Sequence, residues 1–113
     1  MIWDPTEASV LAQLRTGMTR LNSYLYRIKV TSTDQCECGQ ARETVDHFLF
    51  RCRRWIEHRT ELLQCTDTRR GDLSFYLGGK SRIDDENWAP NMKVVRATVR
   101  FAIVTGRLDA NQP

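Results

Sequence analysis

The sequence predicts an all-α fold, a small domain of about five helices. Three observations predict it. Apolar residues recur mostly at three- and four-residue steps, the spacing of a helix face. Glycine and polar clusters punctuate those runs at intervals that suit short helices. The chain has 113 residues, 41% of them hydrophobic and 27% charged, which fits one domain, 1–113, with a modest core.

The elements follow in order. In "TEASVLAQLRTG", Thr6 suits an N-cap, Val10, Leu11, Leu14 and Met18 share a face, and Gly17 suits the stop. "RLNSYLYRI" sets Leu21, Tyr24, Leu25 and Ile28 on one side of a second helix. "VTSTDQCECG" reads as an extended segment and turn. "ETVDHFLFRC" returns to helix, with Val45, Phe48 and Leu49 inward. "RWIEHRTELLQC" carries Trp55, Ile56, Leu62 and Leu63 on another stripe, and "LSFYLGG" is a short helix or turn. "KSRIDDENWAPN" reads as a polar loop, and Pro90 suits the first turn of the last helix, about 91–107. That helix sets Met92, Val95, Val99, Ala102 and Ile103 against Lys93, Arg96, Arg100 and Arg107, a basic edge in water. The tail "DANQP" is expected to fray.

One stretch stands apart from this pattern. "CECGQARETVDHFLFRC", 36–52, parses as C-x-C-x8-H-x4-C. Three thiolates and one imidazole, Cys36, Cys38, His47 and Cys52, complete a tetrahedral set for Zn²⁺. Gly39 lets the backbone turn tightly, so that free amides can point at thiolate sulfur. His47 and Cys52 lie five residues apart, about 7.5 Å of helix rise, so they converge if the helix ends or tightens before Cys52. With every position taken by protein, such a zinc is structural and has no place for water or substrate. The zinc module spans about 30–55. His58 reads as a surface residue and Cys65 as a free, partly buried thiol; both are reserve ligands.

Several classes are excluded. No run of eighteen apolar residues and no secretory leader is present, so the expectation is an intracellular chain (nucleus or cytoplasm) with no membrane partner. A reducing compartment favours metal binding over disulfides. Asp84, Asp85 and Glu86 are consecutive acids that do not converge, and "GDLSFYLGGKS" lacks the phosphate-loop spacing. A zinc-bound Cys52 is not free to act with His47 as a nucleophile pair. The expectation is no enzyme and no small-molecule substrate.

Net charge is +3, mildly basic. "RCRRWIEHR" sets Arg51, Arg53, Arg54 and Arg59 around Trp55, a composition that grips single-stranded nucleic acid by phosphate neutralisation and base stacking. Arg15, Arg20, Arg27 and Lys29 add charge from the first two helices. Trp55 also fits an inward stripe with Ile56, and arginine-rich helix faces are commonly just solvated.

"VLAQLRTGMTRLNSYLYRI" followed by "CECGQARETVDHFLFRC" resembles the zinc-binding C-terminal region of non-LTR (LINE-type) retrotransposon polyproteins, where it follows the reverse transcriptase. "LSFYLGGKS" and "VRATVRFAIVTGRL" resemble the closing tail of fungal versions. The resemblance spans about Val10 to Leu108. It implies a non-catalytic module, derived from such a polyprotein, that contacts RNA or DNA through a basic surface. The alternative it leaves open is a protein-interaction module, for example a retrotransposon-derived fungal effector or avirulence-type protein.

Overall fold

The computed structural model describes residues 3–79 and 89–109. The acidic loop residues Asp84, Asp85 and Glu86, and the end of the tail from Ala110, lie outside the described residues.

The described residues form five α-helices and no strand, so the fold is all-α. Helix α1, Pro5–Thr16, is capped two residues before the expected Thr6. Asp4 is the N-cap. Its carboxylate accepts from the Glu7 amide at 2.8 Å, while Glu7 accepts from the Asp4 amide at 3.1 Å. With Pro5 at the first helical position, this reciprocal box outcompetes the threonine. Val10, Leu11 and Leu14 are buried as expected, but Met18 lies beyond the Gly17 stop and is exposed.

Helix α2, Asn22–Arg27, is short and has no side-chain cap of its own. Leu21 before it is fully buried, whereas Ile28 after it is exposed. Downstream, the expected helix through 52 is a single wide turn. His47–Arg51 is π-helical, and the Cys52 amide reaches back to the His47 carbonyl at 2.8 Å. A 3₁₀ turn, Arg53–Trp55, follows, and then α3, Thr60–Gln64, and α4, Leu73–Tyr76. Leu62 is buried, but Ile56 and Leu63 are exposed, so the expected stripe is broken where the chain turns between Trp55 and Thr60.

Helix α5, Met92–Thr105, is the central element. Helices α1, α3 and α4 and the π turn all pack on it. Asn91 caps it, with its side chain accepting from the Val94 amide, so Pro90 stands before the helix instead of in its first turn. Val94, Val95, Thr98, Val99, Phe101 and Ala102 are buried, a wider face than the expected stripe, while Ile103 is exposed. Phe48 of the π turn meets Phe101 at 5.3 Å and the edge of Trp55 at 6.3 Å. These rings seat the π turn on the core by its inner side. Among the described residues, no helix is long and apolar enough to cross a membrane.

Candidate metal centre

The C-x-C segment is built as a tight hairpin. Gln35 and Arg42 form an isolated antiparallel bridge, and the Cys36 amide donates to the Ala41 carbonyl at 2.8 Å. The Gly39 amide donates back to the Cys36 carbonyl, and Gly39 sits at φ +79°, the left-handed region that glycine enters without a Cβ clash. This turn aims both thiols of the pair to one side. The π turn supplies the other two members of the cluster. Inserting one residue per turn brings residues five apart nearly over each other, so His47 and Cys52 share a face. Of the two expected routes to convergence, the helix takes the first: it ends at Arg51, before Cys52, and it widens there instead of tightening. Cys52 itself is extended (φ −67°, ψ 124°), which ends the turn at the ligand.

The four side chains meet. The Cys36 and Cys52 sulfurs are 3.6 Å apart, and the Cys38 sulfur lies 3.3 Å from His47 Nε2. All four ligand atoms lie within 4.8 Å of one another, and all four residues are buried. A tetrahedral ion with ligands at about 2.3 Å (sulfur) and 2.0 Å (nitrogen) places its sulfurs about 3.8 Å apart and sulfur from nitrogen about 3.6 Å. Both observed separations fall near those edges. A disulfide requires about 2.05 Å, and all four cysteines are free thiols. This buried Cys₃His group could hold a metal ion such as zinc.

The electrostatics of the group differ from residue to residue. The Gln40 amide, aided by the neighbouring thiols and the Ala41 amide, holds Cys38 below the usual thiol range against the effect of burial. Burial pushes Cys36 up to about 11, with the Cys38 amide and the Arg54 guanidinium pulling the other way. Burial lowers His47, assisted by Arg59 and Arg54 and opposed by Glu43, so its imidazole is neutral near pH 7, as a ligand must be.

Arg54 stands directly behind the sulfurs. Its Nη2 lies 3.4 Å from Cys36 Sγ and 2.8 Å from Glu43 Oε2, and its guanidinium covers the Trp55 ring at 5.0 Å. Burial opposes the Arg54 charge, but the sulfurs of Cys52 and Cys36 and the Glu43 carboxylate more than offset it. Arg54 Nε and Trp55 Nε1 are buried with no hydrogen-bond partner among the described residues. Donors left this way beside a thiol cluster fit an anionic metal–thiolate centre better than a neutral one.

Glu43 is the residue that sequence reasoning missed. It is 1% exposed. Its carboxylate accepts from the Asn22 amide at 2.7 Å, from Arg54, and from Arg107 Nε at 2.9 Å, with Arg107 Nη2 on the other oxygen. Its carbonyl accepts from the Ser23 amide. Glu43 therefore caps α2 from outside and ties the hairpin to the chain beyond α5. The expected basic edge on the last helix is corrected accordingly. Lys93, Arg96 and Arg100 are exposed, with Arg100 paired to Glu61, but Arg107 turns inward to Glu43.

The arginines expected to contact nucleic acid separate in the structure. Arg51 is exposed and pairs with Asp46 at 2.7 Å. Arg53 is exposed and donates to the Cys38 carbonyl. Arg54 serves the sulfurs and Glu43, and Trp55 is half-buried against the cysteines. Arg59 is a correction. It is 4% exposed and donates to the Leu49 and Phe48 carbonyls at 2.8 and 3.1 Å. The π turn leaves those carbonyls without helical partners, and the guanidinium fills the gap. His58 is exposed, and Cys65 is half-buried, donating to the Leu62 carbonyl.

No protein-family model matches the chain, and no curated protein or solved structure matches it.

Proposed function

We propose that the chain is a non-catalytic module organised by one structural Zn²⁺, held as a zinc knuckle by Cys36, Cys38, His47 and Cys52, that binds RNA or DNA through a basic surface. The observation that carries the metal reading is the closed set of four buried ligand atoms. Three thiolates and a neutral imidazole suit zinc, and four protein ligands leave no coordination position for catalysis. Zinc with three thiolates carries a net charge of −1. Arg54 is its counter-charge, and Arg107 is the counter-charge of Glu43. The role of the ion is to hold the hairpin on the π turn, contributing folding free energy.

The nucleic-acid reading rests on the positive net charge and on the resemblance to the zinc-binding end of LINE-type retrotransposon polyproteins, whose neighbouring domains handle RNA and DNA. The rival reading, a protein-interaction module, draws on exposed Ile103 and Val104 at the end of α5. A fluorescence-anisotropy titration with labelled single-stranded RNA and DNA, at about 50 and 200 mM salt, decides between them. The nucleic-acid reading predicts binding that weakens steeply between the two salts. No binding at either salt favours the interaction module.

A further inference from the structure

Most of the arginines with exposed positions already have partners. Arg42 pairs with Asp34, Arg51 with Asp46 and Arg100 with Glu61. Arg15, Arg53 and Arg70 donate to backbone carbonyls. Arg20, Arg27 and Lys29 differ. All three are exposed, and none has a carboxylate or carbonyl partner among the described residues. Arg27 only lies over the Tyr24 ring, at 5.4 Å. Between Ala8 and Thr33 the sequence holds no acidic residue at all.

The same segment exposes apolar side chains. Tyr26 is 50%, Ile28 46% and Val30 66% exposed, alternating with Arg27 and Lys29. The turn that ends α2 folds this stretch back on itself, so the exposed side chains lie close along the chain. The Val30 amide returns to the Leu25 carbonyl at 2.8 Å, and the Lys29 amide to the Tyr26 carbonyl. Arg20 stands before α2, lining a groove of about 350 Å³ with Asn22, Leu25 and Thr31 and with the carboxylates Glu37 and Asp109 on its far side. Lys29 takes φ +65°, in the left-handed region. Glycine is the usual residue at this position after a helix, so the backbone tolerates strain there to carry a lysine.

The geometry points to this surface, Arg20 with Tyr26, Arg27, Ile28, Lys29 and Val30, as a docking site for single-stranded nucleic acid. This rests on the nucleic-acid reading above and moves its contact surface from the arginines after Cys52 to the end of α2. Charge complementarity selects the occupant: unpaired cations in an acid-free run call for a polyanion. The exposed tyrosine selects a single strand, because only an unstacked base offers its face to a ring. Arg20, Arg27 and Lys29 take the phosphates, and Ile28 and Val30 pack against sugar and base edges.

The test is anisotropy with a labelled single strand of about twelve nucleotides, as RNA and as DNA, beside the matching duplex. Wild type is expected to prefer the single strand, with a log–log salt slope of about −2 for three phosphates at about −0.7 each. Tyr26→Ala should weaken binding about tenfold at an unchanged melting temperature. Arg27→Ala should reduce the slope by about 0.7. Lys29→Gly should raise the melting temperature, by relieving the left-handed residue, while weakening binding. If these variants bind like wild type while Arg51→Ala with Arg53→Ala abolishes binding, this surface is wrong and the nucleic-acid reading survives. If wild type binds no oligonucleotide at low salt, or binds only phosphatidylserine vesicles, both fall.

Discussion

Replacing Cys38 with serine should cost the protein its metal and most of its stability. Cys38 sits at the tip of the hairpin, with its sulfur 3.3 Å from His47 Nε2 and under the Gln40 amide. Serine keeps the shape but offers zinc a poor, protonated oxygen. The metal of a structural site contributes on the order of 10 kcal/mol of apparent binding free energy in small zinc modules. That matches the whole stability of an ordinary domain, about 5–15 kcal/mol. A Cys38→Ser protein should therefore carry no stoichiometric zinc and lose its cooperative thermal transition, read by circular dichroism. Cys65→Ser is the matched control. That thiol donates only to the Leu62 carbonyl, so its loss should cost about 1 kcal/mol and leave the metal in place.

Glu43→Gln should produce the second large effect, with a different signature. The substitution removes the counter-charge of two arginines whose side chains are only 24% and 23% exposed. Breaking a buried pair by neutralising one partner costs about 3–5 kcal/mol, and the partial exposure of the arginines places this case near the lower end. An amide nitrogen in place of Oε1 cannot accept from the Asn22 amide or Arg107 Nη2, which weakens the α2 cap as well, and one in place of Oε2 cannot accept from Arg54 or Arg107 Nε. No ligand is lost, however. The variant should melt well below wild type in chemical denaturation while still binding one zinc per chain. Loss of the metal together with the stability would instead make Glu43 part of the metal's own support through Arg54.

These two residues also show what the sequence could carry. The four clustered residues were legible because C-x-C, a turn glycine and a His–Cys step are local, and each meets a geometric requirement that a tetrahedral ion would impose. The helical class, the burial of Val10, Leu11 and Leu14 and the Gly17 stop were legible for the same reason. Glu43 was not. Its partner Arg107 lies 64 residues away, and in a one-dimensional string it reads as an acid opening a helix. Arg59 misled in the opposite direction. Its place among charged residues suggests a solvated face, whereas the π turn presents bare carbonyls that draw its guanidinium inside. A π turn leaves no apolar period of its own, although a ligand pair five apart on an expected helix was the one available hint of it. The arginines after Cys52 have composition in common with a nucleic-acid surface, and their pairing decides which of them stays in water.

The most direct measurement is metal content by elemental analysis on protein purified without added metal, paired with thermal melts before and after a chelator. One zinc per chain, and a cooperative melt that collapses when the chelator strips it and returns on adding zinc back, is the predicted result. Metal-free protein with an identical melt under both conditions, or a sulfur–sulfur bridge among Cys36, Cys38 and Cys52, contradicts it.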